Sequence, residues 1–229
     1  QAESDPVGVV EKVRAFGPDV VLLDMKLPDI DGMEILQAIC KKTSMPRVIV
    51  MTGYSTMTNG ENTAFIPIRK YLESRGQPGY TGYQSDSEVF AHILHYMSKG
   101  LSLDLAYYKH LITPLQDEDL ARHPNAEFLK LLKQTCRNLI IDGPNCVIGC
   151  LPDYTMFMVQ DRKKLRPGVV GGRPGRYAFS SEICGLDAAI PNRDKHNDFQ
   201  PMHLDTVVVG PDRQEVSICS QTDPLPLPH

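Results

Sequence analysis

A handful of residues in this sequence have the types and settings that chemistry needs. The run "DVVLLD" places Asp24 directly after aliphatic, β-branched residues, and "RVIVMT" places Thr52 in the same position after a second such run. "TNGEN" carries Asn59 and Gly60, an Asn-Gly pair that could hold an oxyanion. "SDSE" carries Asp86 ahead of an apolar, helix-periodic stretch. Each has a structural reading beside the chemical one. Asp24 could simply end a strand and cap a loop. Asn-Gly is the commonest mark of a tight turn, and an acid in the first turn of a helix, as Asp86 would be, is favoured by the helix dipole. Weaker signals follow. "HILH" sets His92 and His95 at i, i+3, open to a metal but blander as an amphipathic helix. "CVIGC" (Cys146, Cys150) reads as a strand with buried thiols, and "VVGGRPG" (169–175) lacks the Lys-Ser/Thr of a phosphate-binding loop and fits a hairpin connection better.

The elements that must position these residues change character along the chain. Residues 5–16 predict a helix, with Ser4 as cap, Pro6 in the first turn, Val9, Val10, Val13 and Phe16 on one face, and Gly17-Pro18 as the stop. "DVVLL" (19–23) and "RVIVM" (47–51) are continuous apolar runs, as in strands buried on both faces. A helix from about Gly32 to Lys42 between them makes a parallel strand–helix–strand unit. After Asn59 the pattern differs. A helix is expected over 66–75, ended by Gly76. "SDSE" reads as a capping box, Ser85 capping and Glu88 three residues on, that opens a helix to about Lys99. Helices near 103–112 and 126–140 follow, then strands at 145–150, 154–160, 176–180 and 205–209, and "QEVSI" after the turn "GPDR". That spacing is antiparallel and hairpin-like.

Composition sets the bounds. The chain has 229 residues, 41% apolar and 23% charged, ordinary for a folded protein with a sizeable core. A net charge of −4 with no Lys/Arg block argues against nucleic acid as a partner, and runs such as "VVLL" are far too short to span a membrane. The six cysteines include no C-x-x-C pair, and the polar start "QAESDP" is unlike a secretory signal, so a cytoplasmic location with reduced thiols is expected. The absence of an initiator Met fits a processed chain or a piece of a longer one.

"PDVVLLDMKLPDIDGMEIL" followed by "RVIVMTGYSTMTN" resembles the response-regulator receiver family over about residues 5–58. The resemblance implies a flavodoxin-like α/β fold, here truncated. Asp24 would be the phosphoacceptor, Thr52 the switch residue, and Asp24 with the backbone carbonyl of Lys26 the ligands of Mg2+. A sensor histidine kinase would be the partner in a two-component phosphorelay. A carboxylate attacking phosphorus needs a divalent cation to neutralise oxygen charge. The sequence departs from the family pattern in lacking the acidic pair of its first strand and the lysine of a later one; Lys70 stands in the wrong context.

"NGENTAFIPIRKYLESRG", "SDSEVFAHILHY", "DYTMFMVQDRKKLRPGVVGG" and "RYAFSSEICGLD" resemble, in order, the class II glutamine amidotransferases of glutamate-synthase type. That resemblance covers about residues 57–229. It implies an N-terminal-nucleophile (Ntn hydrolase) fold, an α+β αββα sandwich, here incomplete. Asn59 and Gly60 would form the oxyanion hole, worth roughly 3–4 kcal/mol for one such donor. Asp86 would bind the α-ammonium of L-glutamine by a charge-assisted bond. Intact relatives release ammonia for a synthase partner subunit and need no cofactor. The family nucleophile is an N-terminal cysteine, whereas this chain begins Gln1-Ala2 and its first cysteine is Cys40, so little glutaminase turnover is expected. Segments 1–58 and 59–229 are therefore expected to be two domains fused at Asn59. The alternative is a signalling protein phosphorylated on Asp24.

Overall fold

The computed structural model describes residues 8–17, 20–24, 35, 38–39, 47–51, 55–60, 62, 65–77, 86–141 and 143–226. The chain divides into two compact units, Gln1–Ser55 and Thr56–His229.

In the first unit, helix α1 (Val9–Phe16) precedes strands β1 (Val20–Asp24) and β2 (Arg47–Met51). α1 starts later than its periodicity suggests. Gly8, at φ 84°, stands before its first residue, while Ser4 and Pro6 lie outside the described residues. Gly17 closes it as expected, in the left-handed region and with its N–H bonded to Val13 O. β1 and β2 pair in parallel, Val20 opposite Arg47 and Asp24 opposite Met51. Of the expected helix at 32–42 only residues 35, 38 and 39 are described. Ile35 and Ile39, four residues apart and hence on one helical face, are buried among Val9, Val10, Val13 and Val21.

The second unit is built on a five-stranded sheet of order β3-β4-β5-β8-β9: β3 (Ser55–Gly60), β4 (Asn145–Cys150), β5 (Met156–Gln160), β8 (Asp205–Val209) and β9 (Val216–Ser220). From β4 to β9 each neighbouring pair is antiparallel. A separate antiparallel pair joins β6 (Val169–Arg173) to β7 (Arg176–Ser180). Side chains alternate faces along a strand, and β5 uses both. Phe157 meets the ring of Tyr108 edge-on at 5.9 Å, on helix α4 (Leu105–Ile112). Met158, one residue on, joins Cys146, Val170 and Val207 in a buried cluster, so it faces β6. β6 repeats the device. Val170 points into that cluster, and at Gly171 a Cβ would strike Leu186 of helix α7 (Ile183–Ala189) and Asp198. The layers thus run helix, five-stranded sheet, two-stranded sheet, helix. Fully burying one such aliphatic or aromatic side chain contributes roughly 1.5–3 kcal/mol, so this double-faced core fixes the sheet on which β3 lies.

The other helices are α2 (Phe65–Ser74), α3 (Glu88–His95) continued by a π-turn at Tyr96–Gly100, α5 (Asp117–Arg122) and α6 (Ala126–Thr135) with a 3₁₀ turn at Arg137–Leu139. α2 tolerates Pro67 because it lies in the first turn, where the missing N–H has no intrahelical partner. Three elements differ from expectation. α5, "DEDLAR", buries only Leu120 and so shows no periodicity to read. α7 is as short. β6 contains the glycines that suggested a hairpin connection, but close packing of α7 and Asp198 demands a side-chain-free position there. The hairpin expected over 169–175 is present, with its turn at 174–175.

Candidate functional site

β3 lies at one edge of the five-stranded sheet, beside β4, and ends at Asn59 and Gly60. Its residues Thr56 and Thr58 share a face by the two-residue period, and both turn to Ser87. The Thr58 and Ser87 hydroxyls are 2.6 Å apart, and Thr56 Oγ1 donates to Ser87 O at 3.4 Å. Just past the strand, the backbone N–H of Asn62 donates to Asp86 Oδ2 at 3.0 Å. Asn62 is buried and Asp86 half-buried. Asp86 Oδ1 lies 3.5 Å from the Ser87 hydroxyl.

The expected capping box lies partly outside the described residues. Ser85 lies outside the described residues, Glu88 is the first helical residue of α3 rather than its third, and Ser87 before it makes no side-chain cap. The Ser87 hydroxyl meets Thr58 and the Asp86 carboxylate accepts from Asn62, so two side chains at the start of α3 fasten β3. α3 can hold them still because Val89, Phe90, Ile93 and Leu94 are all buried, and Tyr108 Oη donates to Phe90 O at 3.0 Å.

Gly60 has a reason to be glycine that sequence did not supply. A Cβ there would sit 2.4 Å from Asn145 Oδ1 and 2.6 Å from Pro144 O, at the start of β4. Asn145 is fully buried; its Nδ2 donates to Gly143 O at 3.3 Å, and its Oδ1, against Gly60, has no hydrogen-bond partner among the described residues. Gly60 is therefore fixed from behind by β4 and, through Asn62, from the side by Asp86. Asn62, Ser87, Thr56 and Asn145 were missed from sequence. The alternation "TMT" was the available signal for the threonines; nothing local marks Asn62 or Asn145.

Of the other expected site residues, Asp24 is the last residue of β1, opposite Met51, the last of β2, while Thr52 and Lys26 lie outside the described residues. Among the described residues no group of three His, Cys, Asp or Glu side chains could hold a metal ion. They do not by themselves assemble the several oxygens Mg2+ requires. His92 Nε2 lies 3.4 Å from Glu88 Oε1 within α3. Cys146 is buried, and burial together with the Asp161 charge pushes its thiol up to about 12.

Residues 2–73 match the response regulator receiver domain. That match runs past the first unit into β3 and α2, although β3 pairs with β4 of the second unit's sheet. The protein-glutamate methylesterase/protein-glutamine glutaminase of Nitrosomonas europaea is 39% identical over 51 residues, 22% of this chain and 14% of that protein. An uncharacterised protein of Archaeoglobus fulgidus is 27% identical over 159 residues, 68% of this chain and 40% of its own length. An alignment of that length extends far into the second unit. Among solved structures, the glutamine phosphoribosylpyrophosphate amidotransferase from B. subtilis, complexed with ADP and GMP, is similar over 72% of this chain and 28% of its own, with 15% identity and a TM-score of 0.43. The chain thus spans well under half of each relative. No helix among the described residues is long and apolar enough to cross a membrane.

Proposed function

We propose that the second unit is an amidotransferase-type Ntn sandwich that binds L-glutamine at Asn59, Gly60 and Asp86. The observation that carries this reading is the Asn62 N–H bond to Asp86 Oδ2, which joins two motifs 24 residues apart in sequence. In this reading the Asp86 carboxylate takes the α-ammonium of glutamine, and the donors of Asn59 and Gly60 take the amide oxygen, the atom on which negative charge would develop. The layer order of the unit supports the same scaffold. The proposal is for binding: no thiol of this chain is assigned to the site, and a synthase subunit is the partner to which such a domain would deliver. Thermal melting tests it. A ligand of the folded state raises the melting temperature with concentration, so L-glutamine should raise it saturably while D-glutamine does not. Equal shifts, or none, would remove the reading.

A second reading rests on the receiver match over residues 2–73 and on Asp24 at the end of β1. Sheets of this class gather ligands at the carboxyl ends of their strands, so Asp24 would accept a phosphoryl group from a sensor histidine kinase. Incubation with acetyl phosphate and Mg2+ should then add one phosphate mass on Asp24, absent in Asp24→Asn. An unmodified Asp24 peptide would end that reading.

A further inference from the structure

Lys109 presents a problem that the proposed sites do not solve. It sits in the middle of α4, is 4% exposed, and no carboxylate pairs with it among the described residues. A buried ammonium without a counter-charge is costly. Its Nζ instead donates to Ser220 O at 3.2 Å and lies 3.7 Å from Cys219 Sγ, both on β9. Cys219 is half-buried and free, and it is held in register opposite Thr206, whose carbonyl its thiol approaches at 3.7 Å. The lysine is held from its own side as well, since its carbonyl accepts from Thr113 Oγ1 at 2.9 Å and from Gln221 Nε2 at 3.5 Å. Two nucleophilic side chains from different elements are thus kept within one atom's width of each other.

We propose that Lys109 and Cys219 form a modification site, an oxidative crosslink in which one oxygen atom bridges Nζ and Sγ. The oxidant is dioxygen. The ammonium loses a proton, an N–H and the S–H bond break, the O–O bond breaks, and N–O and O–S bonds form. One oxygen atom stays in the bridge and the other leaves as water. Sulfur and nitrogen each give up two electrons, and dioxygen takes all four. The bridge removes the buried charge and ties α4 to β9, and a thiol reductant returns both side chains, as for other reversible first-step oxidations of cysteine.

The test uses the full chain, held in air-saturated buffer, divided into samples with and without dithiothreitol, digested and analysed by tandem mass spectrometry. The expected product joins the Lys109 and Cys219 peptides with a mass gain of one oxygen less two hydrogens. It should be depleted at least about tenfold by the reductant and absent from Lys109→Arg and Cys219→Ser. The wild-type digest decides alone if either variant fails to fold. Cys219 recovered as free thiol, as disulfide or as its sulfinic acid, with Lys109 unmodified throughout, would overturn the proposal.

Discussion

The backbone N–H of Asn62 and Asp86 Oδ2 are 3.0 Å apart, and this bond ties the end of β3 to the start of α3. It is reinforced by the Thr58–Ser87 hydroxyl pair beside it. Asp86 therefore has a structural duty whatever it binds. Asp86→Ala removes the carboxylate to which the buried Asn62 amide donates and should cost about 1–3 kcal/mol. Asp86→Asn keeps an accepting oxygen and should lie much nearer wild type. Urea melts of both variants measure the difference. In the glutamine-binding reading both lose the ligand-induced rise in melting temperature, because only a carboxylate pairs well with an ammonium.

The close approach of Gly60 to β4 makes a second prediction. In Gly60→Ala the new methyl meets a backbone oxygen, Pro144 O, as well as Asn145 Oδ1, so the strand must shift. Overpacking of this kind costs about 1–3 kcal/mol. Gly210→Ala, whose Cβ would meet only Asp212 Oδ1 at 3.4 Å, is the control and should cost far less. Comparable losses in the two variants would mean that β3 does not pack against Asn145 as described.

Acid should weaken the second unit through His110. Burial chiefly, with the neighbouring Lys109 and His123 charges, lowers its pKa from 6.5 to about 3. The unfolded chain therefore binds the extra proton first as pH falls. Stability is fully present above about pH 6.5 and is lost progressively towards pH 3, by up to about 1.4 kcal/mol per pH unit from this one group. Chemical denaturation of wild type and His110→Gln across pH 4–7 should show a shallower slope in the variant. Identical slopes would assign the acid sensitivity elsewhere.

The cysteines give a labelling test of the layer order. Cys184 is exposed at the start of α7, and Cys146 lies between the two sheets with its thiol pushed up to about 12. Near pH 8, a thiol raised that far carries roughly a thousandfold less thiolate than an ordinary one. A maleimide should modify Cys184 rapidly and Cys146 only on unfolding.

What sequence could and could not show follows from these contacts. β1, β2, β4, β5, β7, β8 and β9 were legible because their apolar runs and turn residues are local signals. α2 was legible down to its stop, where Gln77 N–H reaches back to Leu72 O at 3.1 Å around Gly76. β3 was harder: "STMTNG" reads as the continuation of a receiver and as an Asn-Gly turn, and only pairing with β4, which begins at Asn145, far along the chain from Gly60, makes its last residues strand. The start of α3 falls two residues later than the expected capping box puts it, and Asp86 and Ser87 there bind partners distant in sequence that no local motif names. Asn59, Gly60 and Asp86 were named from motif order, while Asn62, Ser87 and Asn145, which hold them, carry no local mark.

The most direct test of the central relationship is amide hydrogen exchange, residue by residue, in wild type and Asp86→Ala. The account predicts a protected Asn62 amide in wild type. In the variant its protection should fall about tenfold or more, the worth of one ordinary hydrogen bond, while the β5 amides of Met156–Gln160 keep theirs. Unchanged protection of Asn62 in Asp86→Ala would contradict it, because β3 would then be held in place without the carboxylate.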